Sequence, residues 1–218
     1  MGAVEIRPCR YSDENDILTV CYRTGFMGED LSGKKRFDDI RLFGYLFCLY
    51  YLWYQPENGF VAEDTDKKTV VGYILGTCNT RKQERDFVLK MGRHIISRTL
   101  SYTLWKHPEA ISAIMYNIMH GSKRHSVEGL YDEYPAHLHI NLLPEYQSTG
   151  TGSRLLKAFE EDMRHKQVPG IHLRTSSMNR KALGFYDKLG YKLISKERGS
   201  MWQGVDDYYS MIFAKRLI

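Results

Sequence analysis

The chain has 218 residues, of which 43% are hydrophobic, and a formal net charge of +5. This size and hydrophobic content predict a single domain over residues 1–218 with a full core. The charge is moderate and the basic residues are scattered, apart from a short group at 123–125, which argues against a nucleic-acid partner. The four cysteines have no metal or redox spacing, so we expect free thiols, no metal site and a cytoplasmic location.

The N-terminal third contains one strongly apolar segment. The first residues carry several charges and match neither a signal peptide nor a transit sequence. Residues 42–54 are hydrophobic on two helical faces, but these 13 residues are fewer than the ~20 that a bilayer requires. We therefore expect a buried helix and no membrane partner. A wall of an acceptor site and a contact in a homodimer are the two alternatives for this segment.

Two strands and a long connection follow. Residues 59–64 and 69–77 have strand patterns, and the charged stretch between them predicts a hairpin. Residues 79–133 then contain two apolar-periodic stretches, 87–105 and 110–119, which predict helices on either side of Pro108. A connection of this length is either functional or a structural cap.

The second half of the chain begins with an alternating segment, Ala136 to Leu143, that predicts a strand ended by Pro144. The apolar residues that follow recur at helical spacing, so a helix should start near Gly150. Residues 147–152 form the loop between these two elements. The first turn of a helix exposes amide groups that attract anions, and glycines let a backbone approach a ligand.

The charges around this loop also favour an anion. Arg154 lies in the first helical turn, where the helix dipole alone disfavours a cation, and no acidic residue follows before Glu160. A bound pyrophosphate would explain both the position of Arg154 and the absence of acidic residues in this turn. The loop contains neither the dinucleotide-binding G-x-G-x-x-G pattern nor a P-loop.

The loop pattern Gln147-x-x-Gly150-x-Gly152 resembles motif A of the GCN5-related N-acetyltransferase (GNAT) family. A second segment, Asn179-x-x-Ala182-x-x-Phe185-Tyr186 followed by Gly190, resembles the family's motif B. With the opening strand, turn and first helix, the resemblance covers residues 4–25, 59–78 and 136–215. It implies an α/β fold with a mixed, mostly antiparallel central sheet flanked by helices. Residues 79–133 would be a helical insert between the third and fourth strands, where we expect acceptor specificity to differ from relatives.

The resemblance also implies a site for acetyl-CoA as cosubstrate. Pantetheine would lie along the motif A strand, Asn179 would lie near the pantetheine arm, and Tyr186 would face the sulfur. Taken alone, the segment favours Asn179 as a helix cap and Tyr186 as a core residue, and the presence of both motifs in order reverses that preference. The implied cofactor-binding residues are Leu142, Leu143, Gln147, Ser148, Thr149, Gly150, Thr151, Gly152, Ser153, Asn179 and Tyr186.

The expected reaction is acetyl transfer from acetyl-CoA to a primary amine by direct attack on the thioester. Tyr186 is the candidate general acid, since a phenol can donate a proton to a departing thiolate. His139 and Glu63 are the candidate general bases, and His137 shares the strand face of His139. A structural histidine and a solvated surface glutamate are the ordinary alternatives.

A catalytically inactive module that binds acetyl-CoA is the main alternative function. The stretch from His137 to Pro144 is also similar to the acetyltransferase-like domains attached to some O-GlcNAc hydrolases. A longer acyl donor is a further possibility. The partner we expect is a small-molecule or peptide amine acceptor, and the chain is a possible homodimer.

Overall fold

The computed structural model describes residues 3–34, 36–120, 127–205 and 207–218. The basic group at 123–125 therefore lies outside the described residues. Seven strands form one sheet: β1 (Val4–Pro8), β2 (Gly59–Asp64), β3 (Thr69–Thr77), β4 (Ala136–Leu142), β5 (Gly170–Ser176), β6 (Lys192–Arg198) and β7 (Tyr209–Arg216).

The order of the strands is β1-β2-β3-β4-β5-β7-β6. Every neighbouring pair is antiparallel except β4 and β5. The charged segment after Asp64 connects β2 and β3 as the predicted hairpin. The expected α/β fold with a mixed, mostly antiparallel sheet is confirmed.

The helices lie on both faces of this sheet. Their bounds are α1 (Glu14–Arg23), α2 (Ile40–Phe47), α3 (Leu49–Tyr54), α4 (Thr80–Arg98), α5 (Leu104–Lys106), α6 (Pro108–His120), α7 (Leu130–Glu133), α8 (Thr151–His165) and α9 (Arg180–Lys188). Tyr51 of α3 reaches two histidines of β4 on one face. On the other face, the Phe159 ring of α8 lies against Gly76 of β3.

The apolar segment 42–54 is broken into two helices, which corrects the prediction of one. The backbone of Cys48 leaves the helical region (φ −132°), so α2 ends at Phe47 and α3 begins at Leu49. The residues of both helices nearest the sheet are buried in the main core, as expected for a helix that is apolar on two faces.

The insert is helical and separates β3 from β4, as predicted. Its first helix begins at Thr80 rather than near Phe87, because the side chain of Asn79 caps it by accepting from the Lys82 amide at 3.0 Å. The π-helical turn Thr99–Thr103 continues α4 into α5, and α6 begins at Pro108 as expected. Buried Asp39 fastens the insert to α2, since it accepts from Arg98 at 2.9 Å and from Thr103 at 2.7 Å.

Within the described ranges, none of the helices combines the length and the apolar character required to cross a membrane.

Candidate functional site

An opening in the sheet separates β4 from β5. These two parallel strands pair only at their beginnings, where Ala136 is opposite Ile171 and His137 is opposite His172. Beyond His172, β5 pairs with β7 along its whole length, whereas β4 pairs only with β3. The C-terminal half of β4 therefore has one free edge.

The free edge of β4 exposes the backbone of Ile140 and Leu142. Leu143 donates its amide to the Val71 carbonyl at 2.9 Å, and Leu142 is opposite Gly72. In an antiparallel ladder this makes Leu142 a non-hydrogen-bonded residue, whose N–H and C=O point away from β3. The same holds two residues earlier, at Ile140. The Leu143 amide, in contrast, is held by β3, and the expected main-chain contact of Leu143 with a ligand stays a prediction.

The loop after β4 is shaped by its own side chains. Gln147 donates from Nε2 to the Leu142 carbonyl at 2.9 Å, and Thr149 donates from Oγ1 to the Tyr146 carbonyl at 2.7 Å. Ser148 and Gly150 both have left-handed backbones, with φ of 61° and 84°. Left-handed residues that alternate with other conformations turn neighbouring amides toward one point. The loop therefore forms a concave anion-binding nest.

The amides of this nest have no partner. The first backbone bond into α8 runs from Arg154 to the Gly150 carbonyl, at 3.1 Å. Among the described residues no acceptor is present for the amides from Ser148 to Ser153, and the first turn carries no acidic residue. Gly152 lies against the Phe185 ring of α9, 3.5 Å from where a Cβ would stand. Phosphate oxygens would complement these donors.

Two cations lie at this loop. Lys181 donates from Nζ to the Gln147 side chain at 3.2 Å, and Arg154 donates to the Val4 carbonyl at 2.9 Å. Lys181 was not among the expected site residues. Its signal in the sequence is the pair Arg180-Lys181 in the first turn of α9, where the helix dipole disfavours cations.

Asn179 caps helix α9 and also contacts the turn after α1. Its Oδ1 accepts from the Ala182 amide at 3.3 Å, so it caps α9. A Cβ on Gly28 would stand only 2.7 Å from its Nδ2, so the turn after α1 packs directly on this amide. The cap is thus observed, and a contact of Asn179 with a pantetheine arm stays a prediction.

Tyr186 is enclosed by aromatic rings. It is 6% exposed, and the rings of Phe185, Tyr191 and Phe213 lie within 6.0 Å of its own. Burial raises the pKa of Tyr186, so the phenol keeps its proton. Across the described part of the chain its hydroxyl has no hydrogen-bond partner, and it is thus free to donate to a ligand.

Three histidines cluster where β4 and β5 separate. Tyr51 places its hydroxyl 2.6 Å from Nε2 of His137 and 3.2 Å from Nε2 of His139. His172 contacts the His137 ring and lies 2.7 Å from the Tyr134 carbonyl. Burial lowers the pKa of His139 to about 4, and it lowers the pKa of His137 and His172 as well. All three rings are therefore neutral at pH 7.

The geometry of this cluster is not that of a metal centre. Among the described residues no group of three histidine, cysteine or acidic side chains could hold an ion. The sequence predicted Tyr51 only as one of the aromatic residues in the apolar segment 42–54. The helical periodicity of that segment does not indicate which of its tyrosines contacts β4.

Glu63 lies away from the opening. It sits on β2, two strands from β4, and its carboxylate accepts from Arg7 Nε at 2.5 Å. Arg7 also binds Asp13 at 2.8 Å, so the two carboxylates share one guanidinium. The structure does not bring Glu63 together with His139, because β3 lies between their strands, and Tyr186 lies on α9, beyond β4.

Known proteins share both the sequence pattern and the fold. The model of the acetyltransferase (GNAT) family matches residues 29–191. The crystal structure of SsHAT has a TM-score of 0.78 at 28% identity, and the match covers 99% of each chain. The structure of yncA from Salmonella typhimurium, described as a putative acetyltransferase with its cofactor acetyl-CoA, has a TM-score of 0.59 at 12% identity and covers 100% of this chain and 95% of that one.

Naa20 from Chaetomium thermophilum, solved in complex with a bisubstrate analogue, has a TM-score of 0.54 at 19% identity, with 97% of this chain and 86% of that chain covered. At these identities yncA and Naa20 show the fold alone. The family model, in contrast, matches well over half of the chain. It includes β2 to β5, the loop after β4 and helix α9, which together carry the free strand edge, the nest and Tyr186. The chain therefore belongs to the acetyltransferase (GNAT) family.

Proposed function

We propose that this chain, an acyl-CoA-dependent N-acetyltransferase of the GNAT family, binds acetyl-CoA across the opening between β4 and β5 and transfers the acetyl group to a primary amine. The observation that carries the proposal is the nest at Ser148 to Ser153. Its amides lack partners among the described residues, and it directly follows the strand with the free edge. A pyrophosphate on the nest and an extended pantetheine arm along β4 would use both features at once.

The cofactor would be held mainly by the backbone. Pantetheine amides would pair with the N–H and C=O groups of Ile140 and with the Leu142 amide, since the Leu142 carbonyl already accepts from Gln147. Asn179, whose Nδ2 is not used for capping, would donate to the arm from the other side. Lys181 and Arg154 would add positive charge near the pyrophosphate, and Gln147, Thr149 and Thr151 would keep the nest in shape.

In the proposed reaction the free amine attacks the carbonyl carbon of the thioester. A C–N bond forms and the C–S bond breaks, so the electron pair leaves with the sulfur of CoA as a thiolate. Tyr186 would donate a hydrogen bond to this developing thiolate, which then takes its proton from solvent. Because its pKa is raised, complete transfer to a thiol of pKa about 8.5 is uphill, and hydrogen bonding in the transition state would be its main contribution.

The amine must lose a proton as well, and His139 is the better of the two candidate bases. It lies on β4 beside the opening, it is only half-buried, and it is neutral at pH 7. Its low pKa makes it a weak base, so we propose that it relays the proton to water rather than keeping it. Glu63 is not assigned, because its carboxylate is held by Arg7 at the far side of β3.

The decisive experiment combines calorimetric titration of acetyl-CoA with measurement of CoA release in the presence of polyamines, aminoglycosides, amino acids and peptides. Binding that is lost on substitution of Gly150, together with CoA release that depends on an acceptor, would support the proposal. Binding without turnover on any acceptor would favour an inactive acetyl-CoA-binding module. Absence of binding would overturn the assignment of the nest.

A further inference from the structure

A cavity of about 340 Å³ lies where the insert meets the connection between α1 and α2 and the loop between β6 and β7. Three chain segments that are distant in sequence build its walls. The lining residues are Lys34, Arg36, Glu109, Ser112, Ala113, Met201, Trp202 and Gln203. The size is in the range of pockets that hold small organic molecules.

The cavity contains one cation and one anion that lack ionic partners. Arg36 donates from one guanidinium nitrogen to the Gln203 carbonyl at 2.7 Å, but it forms no ion pair within the described ranges. Glu109, at the start of α6, likewise forms no ion pair with any described residue. Lys34 is different, because Glu29 neutralises it at 2.9 Å. The walls thus offer one guanidinium and one carboxylate to a ligand.

The apolar side of the cavity is held rigidly. Tyr208 accepts at its hydroxyl from the amides of Met201 and Trp202, at 2.7 and 3.2 Å. Asn117 of α6 donates to the Met201 carbonyl at 3.0 Å, which joins the insert to this loop. The Trp202 side chain is buried and packs edge-on against Phe26 at 5.1 Å. A pocket built in this way is preorganised for its ligand.

The cavity adjoins the proposed cofactor site. The Phe26 ring that contacts Trp202 belongs to the same tight turn as Gly28, and Gly28 lies against Asn179. Asn179 is the residue proposed to hold the pantetheine arm. A ligand of the cavity that extends past this turn would therefore approach the proposed pantetheine site at Asn179.

We propose that this cavity binds the head group of a diamino carboxylic acid, of which lysine and ornithine are examples. Arg36 holds the α-carboxylate, Glu109 holds the α-ammonium, and the second amine extends toward the thioester as the acetyl acceptor. Both unpaired charges are satisfied by one zwitterion in this arrangement. The inference names the acceptor class of the proposed function and rests on it.

Three matched ligands separate the two charge contacts. Lysine carries both groups, 6-aminohexanoate lacks the α-ammonium, and 1,5-diaminopentane lacks the carboxylate. Each is titrated by calorimetry into the protein saturated with CoA, and CoA release from acetyl-CoA is measured with each as acceptor. Since hydrogen bonds to charged groups contribute about tenfold or more in affinity, lysine should bind about ten times more tightly than either analogue.

Two variants assign the contacts. Arg36→Gln should weaken lysine and 6-aminohexanoate by about tenfold and leave 1,5-diaminopentane unchanged. Glu109→Gln should weaken lysine and 1,5-diaminopentane and leave 6-aminohexanoate unchanged. Arg85→Gln removes an exposed cation of the insert that has no ion pair with a described residue, and it should change none of the three affinities. Thermal melts report whether each variant is folded.

Equal affinities of the three ligands for the unmodified protein, or binding of none of them, would overturn the inference whatever the variants do. Lysine affinity that is unchanged in both charge variants would overturn it as well. Failure of the proposed function appears separately, in the titration of acetyl-CoA. If CoA does not bind, the same ligand series titrated into the free protein still tests the cavity.

Discussion

At the scale of single residues, the proposed role of Tyr186 rests on the surroundings of its hydroxyl. Buried structural tyrosines ordinarily give their hydroxyl to a partner, and among the described residues this one has none. Lys67 and Asp64, by contrast, both hold the Tyr146 hydroxyl, at 2.9 and 2.6 Å. The hydroxyl of Tyr186 can therefore act on a ligand without breaking an internal bond.

Replacing Tyr186 with Phe should reduce kcat by about a hundredfold, the lower end of the effect of a general acid. The Michaelis constant for acetyl-CoA should change much less, because the hydroxyl acts mainly in the transition state. Steady-state kinetics measure both constants. Tyr209→Phe, at an exposed position on β7, is the control. An unchanged kcat would remove Tyr186 from the mechanism.

At the scale of single elements, the backbone conformation of the nest depends on a glycine. Gly150 has a φ of 84°, and nothing lies within 4 Å of the point that a Cβ would occupy, so a side chain there strains the loop without a clash. Gly129 combines the same features, with a φ of 74°, at the start of α7 and away from the nest. A comparison of substitutions at Gly129 and Gly150 thus separates the effect of backbone strain from an effect on ligand binding.

Gly150→Val should lower the affinity for acetyl-CoA by at least tenfold, since the amides turn away from the pyrophosphate and the side chain fills the approach. Gly129→Val should lose a similar ~1–2 kcal/mol of stability but keep normal affinity. Calorimetry gives the affinities and urea unfolding the stabilities. Equal affinity for the two variants would contradict the assignment of the nest.

The contact between α8 and the sheet depends on another glycine. A Cβ on Gly76 would clash with the His137 carbonyl and stand 2.6 Å from the Phe159 ring. Gly76→Ala should therefore destabilise the fold by about 1–3 kcal/mol through overpacking between β3, β4 and α8.

Gly92 of α4 is a suitable control for this substitution, because a Cβ there would have no neighbour within 4 Å. Gly92→Ala should stabilise the insert by up to about 1 kcal/mol through helix propensity. Urea unfolding compares both variants with the parent. A Gly76→Ala protein of parental stability would show that β3 and α8 adjust to the extra carbon.

At the scale of the whole molecule, the three neutral histidines make stability depend on pH. Their pKa values are lowered in the folded state, so the unfolded chain binds protons more readily once the pH falls below about 6.5. Stability is then fully present above that pH and is lost as the pH falls toward the folded value of about 4 for His139. Neighbouring hydroxyls and Arg174 offer no compensating negative charge.

The free energy of unfolding should consequently fall between pH 7.5 and pH 5, by roughly 2 kcal/mol for the lowered pKa of His139 alone. Urea titrations at the two pH values measure the change. His139→Gln should reduce this dependence, whereas His165→Gln, at an exposed site on α8, should not. Carboxylates with lowered pKa, such as Asp13 and Asp39, lose their contribution only at more acidic pH. A parental pH dependence in His139→Gln would contradict this account.

The sequence by itself determined the local features of this protein. Strand alternation before Pro144, glycine positions in the loop and helical spacing after it are properties of neighbouring residues, and they were sufficient to predict β4, the nest and α8. Motif order along the chain was enough to indicate the fold and the family. The boundary at Pro108 was also predicted, because a proline acts on the residues directly beside it.

The tertiary structure alone decided which of these features meet. Sequence patterns cannot show that Arg7 binds the Glu63 carboxylate or that Tyr51 reaches His139. They also cannot show that β3 holds the Leu143 amide but not the Leu142 amide. The break at Cys48 and the cavity between the insert and Trp202 were equally out of reach. Each depends on contacts between residues far apart in the chain, and such contacts are fixed by packing across the sheet rather than by local preference.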